Sequence, residues 1–351
     1  MKKIIQQAFF QLRNQPLLSV ITVLGTALAI ALIMVILIVY QAKTADYAPE
    51  VNRSRSLYVK WERTVYDKKD PNSAGHSRPS LWLVKEIFYP LTTPEAVTAT
   101  YEGGEVLVGT VGSDEEMNTP LMLTDAAFWK VYQFRFLAGK PFTEADFQSG
   151  MKQAVIAKSV ARRLFGGAEN AIGKDILVNF AAYTVCGVVD DVNRFCEFTW
   201  SEVYAPYTSN AIASEAEAGQ TSGNNVITIL ARSTDDFDAI RNEVARGVAQ
   251  INTTLGDMEL QLMGQPDNFR MQLNRKFANQ YENLNANFWK YGIMILIILL
   301  VPAINLSGLT NTRMRRRLEE LGIRKAFGAT RNELVWQVLN ENLVLTVLGG
   351  F

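Results

Sequence analysis

Four places in the 351 residues hold side chains of the types that do chemistry, and three of them fail on spacing or company. Gly167 to Lys174 has the glycines and lysine of a phosphate-cradling loop. Such a loop needs four residues between its first glycine and the Gly-Lys pair, then a Ser or Thr to ligate magnesium. Here five intervene and Asp175 follows, so the segment reads as a turn leading into a strand. His76 is the single histidine and lies in a polar loop, which leaves no metal cluster and no histidine triad. Asp190 and Asp191 are adjacent, but neighbours on a strand point to opposite faces, so they read as turn residues. Cys186 and Cys196 are the only cysteines. Cys186 lies within an apolar strand, where a buried free thiol is common. Cys196 would face it if Asn193-Arg194 reverses the chain, so a bridge and two unpaired thiols both stay open. No catalytic residue, cofactor or metal site is assigned, and no nucleic-acid partner is expected.

The elements that must position these residues are organised around lipid. Leu17 to Tyr40 has no charged residue. As a helix it is about 36 Å long, enough to cross a hydrocarbon core of about 30 Å with some tilt. Phe288 to Leu309 is a second apolar run, roughly 33 Å as a helix. Ala27-Leu28-Ala29 imitates a signal-peptide cleavage site, yet the apolar run continues well past it. Lys2, Lys3 and Arg13 precede the first run. Arg313, Arg315, Arg316, Arg317, Arg324, Lys325 and Arg331 follow the second. The positive-inside rule places both flanks in the cytosol and 41–287 outside. Moving Arg313 to Arg317 through the bilayer would cost on the order of 10 kcal/mol. Ahead of the first span, residues 1–16 read as an interfacial amphipathic helix ending before Pro16.

Between the spans the pattern is mixed. Strands are expected over Ser56–Trp61, Glu105–Val111, Leu121–Leu123, Lys152–Ile156 and Asn225–Arg232, with a loop over 62–79. Ser80–Phe88 is apolar and helical or extended. Helices are expected over Thr124–Tyr132, opened by a Thr-Asp cap, and over Ser159–Leu164, stopped by Gly166-Gly167. Asp175–Phe180 and Tyr183–Val189 read as a hairpin turning on Ala181-Ala182. Asp236–Thr254 is helical and Met258–Met263 alternates, giving a β-α-β order. The expectation is a split subdomain, 42–110 with 216–265, into which 111–215 is inserted as a β-rich part. Asp267 to Asn287 reads as a polar stalk helix (267–287) leading to the second span (288–310). A cytosolic segment (311–333) follows.

Several of these segments resemble a known family. Phe128-Trp-Lys-Val-Tyr-Gln-Phe-Arg-Phe-Leu-Ala-Gly-Lys-Pro-Phe-Thr143, Ala161-Arg-Arg-Leu-Phe-Gly166, Ile172-Gly-Lys174 and Tyr183-Thr-Val-Cys-Gly-Val-Val189 resemble the periplasmic core domain of MacB-type ABC-transporter permeases. Glu320-Leu-Gly-Ile-Arg-Lys-Ala-Phe-Gly-Ala329 resembles the loop after the second span in the wider FtsX-like permease family. The fold implied is an α+β membrane protein. Its transmembrane helices flank a large extracytoplasmic mixed α/β domain, made of a split porter-like βαβ subdomain and an inserted β-rich one. The resemblance also implies a bacterial inner-membrane permease that dimerises and is driven by a separate cytosolic ABC ATPase. Its spans would transmit motion for export of a drug, peptide or lipoprotein, with membrane lipid around it and a periplasmic adaptor as a further partner.

Within that frame Glu320, Gly322, Arg324, Lys325, Gly328 and Ala329 are the ATPase-coupling candidates. Glu320 and Arg324 stand four apart in the favourable order, and Gly328 is suited to a left-handed helix cap. Gly25 and Ala29 permit close helix approach, serving a dimer or the spans of one subunit. Pro302 kinks the second span as a hinge or as local packing. From 334 to 351 a third span begins but offers only nine uninterrupted apolar residues, Leu343 to Phe351, too few to cross, so a chain cut within that span is expected. Two other readings stand beside the permease: a receptor-like sensor, and an FtsX-type regulator of cell-wall hydrolases. A sensor needs a signalling domain after its second span. Here the chain turns back toward the membrane after about 22 residues.

Overall fold

The computed structural model describes residues 16–110, 112, 115–278, 289, 292–297, 300, 322–323, 325–328, 330, 332 and 335–336. The chain divides into two compact units, one of residues 1–42 with 283–351, the other Lys43–Glu282. The expected interfacial helix before Pro16, the kink at Pro302 and most of the second and third spans lie outside the described residues.

Helix α1, Pro16–Thr44, extends the first apolar run by one more turn at its outer end. Its Ala27–Thr44 stretch is long and apolar enough to cross a membrane, and is the only such helix among the described residues. Of the second expected span, 289, 292–297 and 300 are helical.

In the outer unit, β1 is Ser56–Val59, β2 Glu62–Asp67 and β3 Asp70–Pro79. The expected loop over 62–79 is therefore a hairpin, and His76 stands on β3. Its outer end is exposed on both faces and so lacks apolar alternation. Main-chain pairing and a turn in which Asp67 Oδ1 accepts from Lys69 N at 2.8 Å hold it instead. Ser80 caps α2, Leu81–Leu83, which widens into a π-turn over Val84–Phe88. Strand β4 runs over Ala96–Thr110 and β5 over Glu116–Thr124, both longer than expected.

Helix α3 is only Phe128–Val131. The Thr-Asp cap proves to be Asp125 alone, whose Oδ1 accepts from Phe128 N at 3.0 Å, because Thr124 still belongs to β5. Next come β6 (Phe136–Gly139), α4 (Glu144–Gln148), β7 (Gln153–Ala157), α5 (Lys158–Phe165) and α6 (Ala168–Ala171). Gly166 ends α5 at φ 74°. Strands β8 (Asp175–Val178) and β9 (Ala181–Val189) form the expected hairpin, turning on Asn179 and Phe180 instead of the alanine pair. Both turn residues have positive φ, 46° and 66°, as a tight hairpin turn demands. Then follow β10 (Val203–Pro206), β11 (Ser222–Gly223), β12 (Asn225–Leu230), α7 (Phe237–Thr254), β13 (Glu259–Gln261), β14 (Asp267–Asn268) and α8 (Phe269–Asn274).

Ten strands form one mixed sheet in the order β14-β1-β12-β4-β5-β10-β7-β9-β6, with β8 bridging β4 and β9. Strands β14, β1, β12 and β4 occupy one side of this order and β5, β10, β7, β9 and β6 the other, joined along β4 and β5. A smaller sheet runs β11-β3-β2-β13, so the strands flanking α7 end in different sheets. Helix α7 buries Ile240, Val244 and Ile251 on one face. It packs so closely on the π-turn that a Cβ at Gly247 would stand 3.0 Å from Ile87. Leu57, Val108, Ile156, Val188 and Ile229 belong to one buried apolar cluster spanning both sides of the large sheet.

Candidate functional site

Buried charge is costly unless it is paired and hydrogen-bonded, so fully buried ion pairs mark places where geometry is fixed at a price. Among the described residues the outer unit has two, one near its first residue and one near its last. After α1, Asp46 holds Ser54 through its backbone N–H (2.9 Å) and its hydroxyl (2.6 Å), folding 45–55 back on itself. This brings Arg53 inside. Its Nε donates to Glu50 Oε2 at 2.7 Å, with both side chains fully buried. Nη1 donates to Ala45 O at 2.8 Å and to Lys43 O at 3.4 Å, and Nη2 to Phe195 O at 3.2 Å. The guanidinium lies 4.3 Å from the Tyr47 ring centre and 4.8 Å from that of Phe269.

Glu50 Oε1 accepts from Phe198 N (3.0 Å) and Thr199 Oγ1 (2.9 Å). Burial lifts the Glu50 carboxyl above its ordinary range, opposed by the charge of Arg53 and these donors. Burial alone would lower Arg53, but Glu50 and Tyr47 outweigh it and hold the guanidinium charged. The result is a charged pin fastening the last carbonyls around the end of α1 to the loop before β10.

The second pair lies where the chain leaves. Asp267, fully buried on β14, is gripped by Arg275 through Nη2 at 2.9 Å and through Nε, while Arg275 Nη1 reaches Ala278 O at 3.2 Å. Strand β14 pairs with β1, Tyr58 opposite Asp267 and Leu57 opposite Asn268. Asn268 Oδ1 accepts from Met271 N at 3.0 Å and so starts α8. The continuous polar helix expected over 267–287 therefore fails at its beginning. Asp267–Asn268 form a strand, α8 is six residues long, and at Arg275 the chain leaves helical geometry because its guanidinium is pulled back to Asp267. Residues 279–287 lie outside the described residues. Phe269, first residue of α8, sits between Arg53, Tyr58 (5.6 Å) and Phe198 (6.2 Å). The arriving and departing segments are thus fastened to one strand, β1, over one aromatic cluster.

The residues singled out from sequence fall elsewhere. Gly328 has φ 92° and its N–H donates to Lys325 O at 3.1 Å, while Gly322 and Lys325 are helical. Glu320, Arg324 and Ala329 lie outside the described residues. A Cβ at Gly25 would meet nothing within 4 Å, whereas Ala29 is buried. Asp191 Oδ1 accepts from Ser159 N at 2.9 Å at the start of α5, and Asp190 faces Lys158 at 3.4 Å. The Gly167–Lys174 segment is α6 and a turn in which Gly173 N donates to Val185 O at 2.8 Å. Both cysteines are free, and burial pushes the Cys186 thiol up to about 12. Sequence reasoning missed all four residues of the two pins. Glu50 and Arg53 stand three apart just before an apolar strand, which was the available signal; Asp267 and Arg275 carried none, being ordinary members of a polar stretch.

Comparison with known proteins relates the chain to a family of membrane proteins. Residues 19–246 match the family model described as MacB-like periplasmic core domain, and 292–351 the one described as FtsX-like permease C-terminal. The uncharacterized ABC transporter permease YknZ of Bacillus subtilis is 23% identical over 95% of this chain and 79% of its own length. The macrolide export ATP-binding/permease protein MacB of Wolinella succinogenes is 26% identical over 98% of this chain, which spans 51% of that protein. The crystal structure of the periplasmic region of MacB from Actinobacillus actinomycetemcomitans aligns at a TM-score of 0.42 and 14% identity, covering 64% of this chain and 94% of that one. The chain belongs to the MacB/FtsX-like family of ABC-transporter permeases.

Proposed function

We propose that this permease carries motion from a separate cytosolic ATPase to its extracytoplasmic domain, and that this motion drives export of a substrate from the outer face of the inner membrane. The supporting observation is the pair of buried pins. Displacement of the end of α1 reaches β1 through Arg53, and β1 is hydrogen-bonded to the β14–α8 segment on the way to the second span. A buried charged pair transmits a push because breaking it costs roughly 3–5 kcal/mol, more than thermal motion supplies. The order of the large sheet supports a split subdomain (42–110 with 216–265) carrying an inserted one (111–215), the two meeting along β4 and β5. On the cytosolic side, Glu320, Gly322, Arg324, Lys325, Gly328 and Ala329 form the surface that receives the ATPase. A second permease copy completes the assembly, and a periplasmic adaptor is a further partner.

The test is Gly328→Leu. At φ 92° any side chain is strained. The variant is expected to insert normally, leave ATP turnover by the partner intact and abolish substrate-dependent resistance or export. Unchanged export at unchanged turnover would remove the coupling role.

A further inference from the structure

The loop before β10 holds an aromatic residue that the fold neither buries nor uses. Cys196, Phe198 and Thr199 are buried and anchor the loop, Cys196 N donates to Asn193 O at 2.9 Å, and Phe195 N donates to Asn193 Oδ1 at 3.0 Å. The backbone is thereby fixed, yet Phe195 stands 44% exposed. Beside it the guanidinium of Arg194 lies over the Trp200 ring at 5.0 Å. The position of this loop is set by Arg53. One guanidinium holds Ala45 O, Lys43 O and Phe195 O. The planar fork thus keeps the Phe195 carbonyl within about 8 Å of the Ala45 carbonyl. The apolar run of α1 ends at Tyr40, and the helix continues for one more turn to Thr44. With α1 read as a span, Lys43 and Ala45 fall in the headgroup layer about one turn beyond the apolar run, and the tie through Arg53 brings Phe195 to them.

An exposed apolar ring with an arginine beside it is a pairing used by surfaces that lie in the membrane interface, the ring at the headgroup–acyl boundary and the guanidinium on phosphate. From this we infer that the Asn193–Trp200 loop is a second membrane contact of the outer domain, with Phe195 inserted among lipid headgroups and Arg194 binding lipid phosphate. The occupant is the bilayer's outer surface, chosen because the loop is tied to the outer end of a membrane-crossing helix. The inference rests on the reading of α1 as a span. Its consequence is that the loop held by Arg53 is also held by lipid.

Site-specific photocrosslinking tests this. Benzoylphenylalanine is placed at position 195 of the full-length permease, at Leu28 within the apolar stretch, and at exposed Phe180 on the β8–β9 turn. Each protein is irradiated in vesicles of phosphatidylethanolamine and phosphatidylglycerol and weighed intact. Positions 195 and 28 are expected to gain the mass of a phospholipid in comparable yield, at least tenfold above position 180. Lipid adducts at 28 with none at 195, or a chain-to-chain adduct from 195, would overturn the inference and leave the span reading standing. Absence of lipid at 28 as well would remove both. As an independent measurement, Phe195→Trp should add fluorescence quenchable by lipids brominated near the headgroup; a folded variant with no added quenching also overturns it.

Discussion

A carboxylate buried beside a cation and one buried among hydroxyls differ in what their removal leaves behind, and this domain contains both. Glu62 is fully buried, and its oxygens accept from Ser77 Oγ (2.5 Å), Thr64 Oγ1 (2.7 Å) and Ser222 Oγ (3.2 Å), with no ion pair to it among the described residues. Burial raises its carboxyl pKa, against the lowering effect of these hydroxyls and the charge of His76. Because the folded value lies above the unfolded one, about 4.3, its stabilising contribution is complete below that pH and is lost as pH rises through the raised value. Glu62→Gln should match the parent near pH 4 and exceed it by about 1 kcal/mol near pH 8, read from denaturant midpoints at the two pH values. A variant weaker than the parent at pH 8 would mean that the ionised form is the one the site prefers. Burial raises the Glu50 carboxyl as well, but here removing the side chain leaves a buried cation unpaired. Glu50→Ala strands Arg53 and should cost roughly 3–5 kcal/mol, while adding Arg53→Met should recover most of it. Two additive losses would show that the side chains are not acting as a pair.

At the level of elements, the readable parts were those whose sequence carries its own reason. Gly166 closes α5 with a left-handed cap, and the apolar β9 and β12 were visible from their residue types. The 62–79 hairpin was not, because its strands are stabilised by main-chain pairing at a mostly exposed tip. The stalk misread at 267–275 has a similar cause: polarity suggested solvent, but Asp267 and Arg275 neutralise each other in the interior. Gly139, in the Leu-Ala-Gly-Lys run, shows what a motif glycine is for. At φ 66° an added Cβ would stand 2.2 Å from Cys186 O and 3.0 Å from Gly187 Cα, where β6 crosses β9. Gly139→Ala should destabilise the domain by roughly 3 kcal/mol from backbone strain and overpacking. Thermal unfolding of the variant within a degree or two of the parent would show that β6 can shift aside cheaply.

For the molecule as a whole, the first long apolar helix was legible because its length and its missing charges are properties of a single run. The fastening of residues 43–53 to the rest of the outer unit is not such a property, since Arg53, Phe195 and Phe269 meet only after folding. The placement of the outer unit outside the cytosol can be tested with the native thiols left in place. Cys196 is buried, and Cys186 is half-buried with its thiol pushed up to about 12, so neither supplies much thiolate at neutral pH. An added surface cysteine therefore reports on a quiet background. Ile212→Cys, on an exposed position of the outer unit, should react with a membrane-impermeant maleimide on intact spheroplasts. Ala326→Cys, within the segment expected to meet the ATPase, should react only after the membrane is opened. The opposite pattern would place the arginine-rich segment outside, a topology that the cost of carrying Arg313 to Arg317 across lipid argues against, and would dismantle the coupling scheme together with the headgroup contact at Phe195.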